Sequence, residues 1–176
     1  MALSLTCIAL VAAAALAGVY LLTEARIAQQ KREAQEAARI AVLAGNPDGV
    51  AIEAQADGFG GVIRLMVGFD QEGHILGYEV LEQQETPGLG THIVEWFKNA
   101  DKPAQNIIGR QATGQFRVSK DGGDVDAITA ATISSRAFLK AINLAYAQFM
   151  LEHHNTEVEA WAGASKMVEE KEADNE

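Results

Sequence analysis

Hydroxyl side chains cluster where the sequence predicts the start of a long helix. The run 126–135 reads DAITAATISS and leads directly into an apolar-striped segment. A helix N-terminus leaves backbone N–H groups unpaired and carries partial positive charge, so it favours a bound phosphate. Thr132 lies where that phosphate is expected. Plain helix capping by Ser134 or Ser135 is equally compatible with these residues, and the chemistry alone leaves both interpretations open.

A glycine-rich turn is the second unusual segment. Residues 85–90 read ETPGLG, in which one proline and two glycines force a turn and leave backbone amides approachable. Upstream of it, Gly58, Gly60 and Gly61 mark a tight entry into a strand. Together, the turn and the helix start on one small domain predict a site for a phosphorylated planar cofactor.

The elements that must position these segments are predicted from periodicity and turn residues. Two β-favouring runs, 61–69 and 75–81, flank the loop DQEGH and predict a hairpin. A short helix is predicted at 92–98 and a further strand at 115–120. The final helix, 134–153, places an apolar stripe on one face, formed by Phe138, Ala141, Ile142, Ala145 and Phe149. These elements predict an α+β domain with an antiparallel sheet.

The N-terminal segment predicts a single membrane anchor. Residues 1–23 carry no charged side chain, and at about 1.5 Å per residue they can cross a hydrocarbon core of about 30 Å. They also lack the basic region that begins a secretory signal. We therefore expect a transmembrane anchor at 1–23, a juxtamembrane helix at 24–45, a folded domain at 46–153 and an acidic, partly disordered tail at 154–176.

Charge and cysteine content exclude several classes of function. The formal net charge is −10, and residues 152–176 alone hold eight acidic residues against two lysines. This acidic balance argues against nucleic acid as a partner. The only cysteine is Cys7, in the membrane segment, so the chain offers no ligand set for cysteine-bound zinc or an iron–sulfur cluster. His153 and His154 have no companions at ligand spacing, and no metal site is predicted.

Taken together, four sequence features resemble the FMN-binding domain family. They are Gly58-Phe59-Gly60-Gly61, the hairpin, the ETPGLG turn followed by Trp96-Phe97, and Asp126-x-x-Thr-Ala-Ala-Thr. Because the chain is short and has one N-terminal anchor, it is similar within that family to the G subunits of Rnf ion-translocating oxidoreductases. The resemblance extends over nearly all of the chain up to about residue 150.

The resemblance implies a role for individual residues. In that family a separate flavin transferase joins FMN covalently, through its phosphate, to the second threonine of the motif, here Thr132. Asp126 is then read by the transferase, although a turn or capping role is the alternative. The other cofactor-binding residues implied are Thr129, Ala130, Ala131 and Ser134 near the phosphate, and Glu85, Thr86, Gly88 and Leu89 along the isoalloxazine ring.

For several of these residues a plain structural role stays open. Glu85 starts a turn in any case, Leu89 suits a core, and Ser134 suits a cap. A lysine at a strand end, such as Lys120, is commonly solvated, the alternative being a contact with the N1 edge of the flavin. Ala130 stands where the family more often has glycine, so we expect its φ to stay negative.

The functional expectation is an electron carrier rather than a stand-alone catalyst. Nothing in the sequence supplies a nicotinamide site or a general base aimed at a substrate. The resemblance implies a redox subunit of a multisubunit translocase that couples electron transfer between NADH and ferredoxin to movement of sodium ions or protons. One alternative is the C subunit of the sodium-pumping NADH:quinone oxidoreductase, which shares the flavin linkage. Another is a membrane-tethered binding module without redox function.

Two sequence arguments disagree about orientation. Arg26, Lys31 and Arg32 follow the anchor, and the positive-inside rule places such a flank, and hence the domain, in the cytoplasm. The family resemblance instead implies the bacterial inner membrane with the flavin domain on the periplasmic side. We follow the family here, because the count rests on three basic residues.

Overall fold

The computed structural model describes the backbone of residues 2–173 and the side chains of residue 6 and residues 9–152, except Ala25. The expectations for Cys7, His153 and His154 concern side chains outside these described residues. The chain divides into two units, Met1–Ala37 and Ala38–Glu176.

One continuous helix, α1 (Ala2–Leu43), accounts for the first unit and enters the second. Its segment Ala9–Leu43 is long and apolar enough to cross a membrane, with a mean hydropathy of 1.6 in its most apolar window. Thus the predicted anchor and juxtamembrane helix are one element. The helix ends where Ala44 and Gly45 take the left-handed φ values of 49° and 80°, at the predicted end of the juxtamembrane helix.

A three-stranded antiparallel sheet forms one layer of the second unit. Its strands, β1 (Val50–Asp57), β2 (Val62–Phe69) and β3 (Ile75–Glu82), pair in the order β1-β2-β3. The predicted hairpin is β2 and β3. Strand β1 was not predicted, because its sequence VAIEAQAD alternates weakly and is rich in alanine and acidic residues, which have low strand propensity.

The predicted strand at 115–120 is wrong. This stretch makes one isolated bridge, Val118 to Val125, and continues into a 3-10 turn at Ser119–Asp121. The reason lies in Phe116, whose N–H donates to Asn143 Oδ1 at 2.9 Å and whose carbonyl accepts from Asn143 Nδ2 at 3.0 Å. Because the Asn143 side chain already pairs with both backbone groups of Phe116, these groups cannot join the hydrogen-bond ladder of a strand.

Two further helices complete the domain. Helix α2 (Ile93–Trp96) follows a 3-10 turn at Gly90–His92, within the range predicted for a short helix. Helix α3 (Thr132–Ala173) begins two residues before the predicted start and continues far beyond the predicted end at 153. Helix α3 thus extends into the predicted tail at 154–176, whose Ala, Glu, Lys and Met residues are good helix formers.

Helix α3 packs its apolar stripe against the sheet. All five stripe residues predicted from periodicity are buried. The Phe138 ring stacks on Phe97, with centroids 4.5 Å apart, and meets Tyr78 edge-on at 4.8 Å. Such aromatic pairs add about 0.5–1.5 kcal/mol to the stabilisation from buried area. The core therefore fixes the first turns of α3 relative to the sheet, and with them the start of the helix.

Candidate functional site

A cleft of about 430 Å³ opens between the start of α3 and the turn that follows β3. The cleft brings together the two segments that the sequence singled out, the ETPGLG turn and the hydroxyl-rich run before the helix. Four separate stretches of chain line it, with the residues Phe59, Thr86, Leu89, Gly90, Lys120, Ala130, Ala131, Thr132, Ile133 and Ser134.

Thr132 is the first residue of α3 and is half-buried at the cleft wall. The chain reaches it through a turn at 128–131, closed by a hydrogen bond from Ala131 N to Ile128 O at 3.1 Å. Ser135 braces this turn, because its Oγ accepts from Ile128 N and donates to Ala131 O, both at 3.0 Å. Of the two serines considered for a capping role, Ser135 is the one that ties the helix start to the preceding turn.

Ala130 corrects one expectation. A negative φ was expected at this position from the sequence, whereas the structure gives Ala130 a φ of 62°. It occupies the third position of the 128–131 turn, where a positive φ is common and glycine is the usual residue. The hydrogen bonds of Ser135 hold the turn closed and impose this left-handed backbone on alanine.

Glu85, which was expected along the flavin ring, is only 5% exposed. It is not among the described residues that line the cleft and lies behind the cleft wall. One carboxylate oxygen accepts hydrogen bonds from Phe59 N at 2.8 Å and Gly60 N at 3.1 Å. The other accepts a hydrogen bond from the buried Ser134 hydroxyl. Both oxygens are thus engaged within the protein.

Two other predicted contacts lie outside the lining. Thr129 and Gly88 are turn residues beside the cleft and are not among the described residues that line it. Gly88 has a φ of 74°, and its N–H donates to Thr91 Oγ1 at 3.0 Å. Gly88 therefore shapes the turn that carries Thr86 and Leu89 to the cleft.

The rim of the cleft is apolar and exposed. Phe59, Leu89 and Ile133 expose 67%, 41% and 51% of their surface, although large apolar side chains normally pack inside. Leu89 is therefore not a core residue. Phe59 and Ile133 were not predicted as site residues, and the signal for Phe59 was an aromatic residue set among the glycines at 58, 60 and 61.

Lys120 and Asp126 occupy different positions relative to the cleft. Lys120, on the 3-10 turn, is the one charged side chain among the described lining residues. Asp126 does not line the cleft, and its exposed carboxylate accepts a hydrogen bond from Ser119 Oγ at 2.9 Å. Two hydrogen bonds hold the Asp126 backbone in place. Its N–H donates to Ala104 O, in the loop after α2, and its carbonyl accepts from Trp96 Nε1, in α2.

This donor set fits a planar aromatic group that carries a phosphate. Within the described chain, no acceptor pairs with the N–H groups of Thr132, Ile133 and Ser134 at the start of α3. Open N–H groups of this kind bind phosphate oxygens. The apolar rim suits the faces of a ring, and Gly90 keeps the backbone close, since a Cβ there would lie 2.7 Å from Glu85 Oε2.

A family model of the FMN-binding domain matches residues 58–147, just over half of the chain. The chain belongs to the FMN-binding domain family. All the residues that line the cleft fall within this FMN-binding domain. A second model, the RnfG N-terminal region, matches residues 1–42, which form most of α1.

Several curated relatives are named as the G subunit of an ion-translocating oxidoreductase complex. The relative from Shewanella oneidensis is 40% identical over 126 residues, which is 69% of this chain and 57% of that protein. The relative from Shewanella baltica is 45% identical over 107 residues, or 60% of this chain and 50% of that protein. The chain spans about half the length of the curated relatives that it matches.

Proposed function

We propose that this FMN-binding domain holds FMN covalently, through a phosphoester bond to Thr132, and serves as a membrane-anchored electron carrier. The observation that carries the proposal is the position of Thr132. It is the first residue of α3 and shares one cleft with the ETPGLG turn and the exposed ring-sized rim. FMN would supply the redox chemistry, and the protein would bind and orient it.

The described residues divide this task among them. The open N–H groups of the first turn of α3 receive the phosphate, whose negative charge the helix dipole favours. Phe59 and Leu89 flank the ring and reduce its access to water. Lys120 adds a positive charge at the cleft, which favours the more negative, reduced form of a bound flavin.

Attachment requires a separate flavin transferase, because a threonine hydroxyl is a weak nucleophile at neutral pH. In the proposed step, Thr132 Oγ forms a bond to the flavin-side phosphorus of FAD. The bond from that phosphorus to the bridging oxygen breaks, and AMP leaves with it. A base of the transferase takes the threonine proton. Asp126 presents an exposed carboxylate six residues before Thr132 and is the residue that we assign to transferase recognition.

The relatives and α1 support a place in a membrane complex. Proteins named as the G subunit of an ion-translocating oxidoreductase complex share about 40% identity with this chain. We propose that the chain relays electrons among the other subunits of such a complex, between NADH and ferredoxin, coupled to sodium or proton movement. We place α1 in the bacterial inner membrane and the flavin domain on the periplasmic side. These relatives favour this assignment over the C subunit of the sodium-pumping NADH:quinone oxidoreductase.

Intact mass spectrometry tests the linkage. The full chain is co-expressed with a flavin transferase as the wild type, as Thr132→Ala and as the matched control Thr129→Ala, which removes a hydroxyl three residues earlier in the same motif. We expect one FMN-sized phosphoester adduct on the wild type and on Thr129→Ala, and none on Thr132→Ala. An unmodified wild type, or an adduct that survives Thr132→Ala, contradicts the proposal.

A further inference from the structure

Glu85 connects three distant stretches of the chain at one carboxylate. Its hydrogen-bond partners lie 25 and 26 residues upstream, in the loop between β1 and β2, and 49 residues downstream, in α3. Phe59 and the first turn of α3 both line the cleft. A single side chain behind the wall therefore holds parts of the cleft that the sequence separates widely.

The surrounding glycines show how closely this carboxylate is packed. A Cβ on Gly58 would lie 2.2 Å from Glu85 Oε1, and a Cβ on Gly90 would lie 2.7 Å from Glu85 Oε2 and 2.8 Å from Ser134 Oγ. A Cβ on Gly60 would lie 1.9 Å from the carbonyl oxygen of Gln84. Contacts below 3.0 Å of this kind require the chain to shift, so the glycines leave room for the carboxylate.

In the hydrogen bond between Ser134 and Glu85, the serine hydroxyl is the donor. A serine hydroxyl has one O–H donor, and Ser134 gives it to Glu85. Although Ser134 lines the cleft, its hydroxyl therefore has no proton left for a phosphate oxygen. The donors that remain for an anion on this side are the Thr132 hydroxyl and the backbone N–H groups at the start of α3.

We propose that Glu85 is a positioning residue of the cofactor site, which fixes Phe59 and the start of α3 and places a carboxylate behind the cleft. This inference rests on the proposed FMN site. A negative charge next to a flavin opposes the addition of electrons, so Glu85 lowers the reduction potential of the bound cofactor. Lys120, which lines the cleft itself, acts in the opposite direction.

Two substitutions separate the geometric effect from the charge effect. Glu85→Gln keeps a side chain of the same shape, in which the amide oxygen accepts from Phe59 and Gly60 and the amide nitrogen donates to Ser134 Oγ. Glu85→Leu removes all three hydrogen bonds. Glu72→Gln is the matched control, because it removes the same charge from an exposed residue of the β2–β3 loop, which is not part of the cleft lining.

The experiment measures FMN incorporation by intact mass, the flavin midpoint potential by spectroelectrochemical titration, and thermal unfolding, all on the full chain. For Glu85→Gln we expect wild-type incorporation and a raised potential, with a shift of about tenfold in the two-electron reduction equilibrium, or about 30 mV. For Glu85→Leu we expect incorporation to be slowed by about tenfold, since the buried Ser134 hydroxyl and two part-buried backbone N–H groups lose their acceptor. Glu72→Gln should match the wild type in all three measurements.

An unchanged midpoint potential in Glu85→Gln overturns the inference, and this variant keeps the test decisive even where Glu85→Leu does not fold. Equal shifts in Glu85→Gln and Glu72→Gln overturn it as well, since they would report total charge alone. A wild type without flavin contradicts the proposed function itself. If the wild type carries flavin but Glu85→Gln leaves the midpoint potential unchanged, only the role of Glu85 is contradicted.

Discussion

Two concavities lie on either side of the turn Ser119–Asp121, and they differ in how their polar groups are used. The cleft is lined by Lys120 of this turn and has a volume of about 430 Å³. On the other side, a groove of about 370 Å³ is lined by Asp121 of the same turn together with Phe116, Arg117, Val118, Arg136, Leu139, Lys140 and Asn143. Size alone does not distinguish them.

The groups that differ in pairing are Asp121, Arg136 and Asn143 in the groove and the start of α3 in the cleft. In the groove, Arg136 donates two hydrogen bonds of 2.6 Å to Asp121, and Asn143 is bonded twice to the Phe116 backbone. In the cleft, the Thr132 hydroxyl and the first N–H groups of α3 have no partner among the described residues. The open N–H groups at the start of α3 can bind an anion, whereas the paired groups of the groove hold neighbouring segments together.

The strained wall of the cleft gives the largest of three further predictions. Ala130→Gly should raise the free energy of unfolding of the unmodified protein by about 1 kcal/mol, because glycine adopts the left-handed backbone without strain. The neighbouring Ala131→Gly should lower it by about 1 kcal/mol, because Ala131 is buried and has no positive φ. Urea titration of both variants measures the difference. Two changes of the same sign would contradict the strain at Ala130.

Lys120 in the cleft and Lys140 in the groove should differ in their effect on the midpoint potential of the flavin. Lys120→Gln removes the cation of the cleft and should lower the flavin midpoint potential by an amount on the order of 30 mV. Lys140→Gln removes a cation of the groove and should leave the potential close to that of the wild type. Redox titration of both flavinylated variants makes the comparison. Equal shifts of the midpoint potential in the two variants would contradict a flavin site in the cleft.

The ion pair of the groove should have the smallest effect. Hydrogen bonds from Arg136 hold the pKa of Asp121 below its ordinary value of 3.8. A folded-state pKa below the unfolded one stabilises the fold above the unfolded value, and this contribution is lost as the pH falls through the folded value. Asp121→Asn should therefore lower the melting temperature slightly near pH 7, and the difference should shrink below pH 3.8. A difference independent of pH would contradict this assignment.

Local patterns predicted much of this fold. The β2–β3 hairpin and the buried stripe of α3 followed from strand alternation and helical spacing, which depend on nearby residues. Strand β1 was missed because its composition is poor in β-branched residues and it is held by pairing with β2. The stretch 115–120 was misassigned because a side chain of α3 binds its backbone, a contact between residues 27 positions apart.

The candidate site shows the same division. The sequence predicted that the ETPGLG turn and Thr132 act together, since turn chemistry and helix starts are local features. It could not place Glu85 behind the wall, because that position depends on partners in two other segments. The left-handed backbone of Ala130 was not predicted for a related reason. It depends on the hydrogen bonds of Ser135, which lies five residues later in the helix.

The aromatic core beneath α3 bears on the order of events in maturation. Phe138, Phe97 and Tyr78 pack against one another in the core, while Thr132 stays partly open to solvent. Under the proposed linkage, this core would set the helix start before any enzyme reaches it, and flavin attachment would follow folding rather than be a condition for it. A cell that runs short of flavin would accumulate a folded, colourless form that is ready to be charged later.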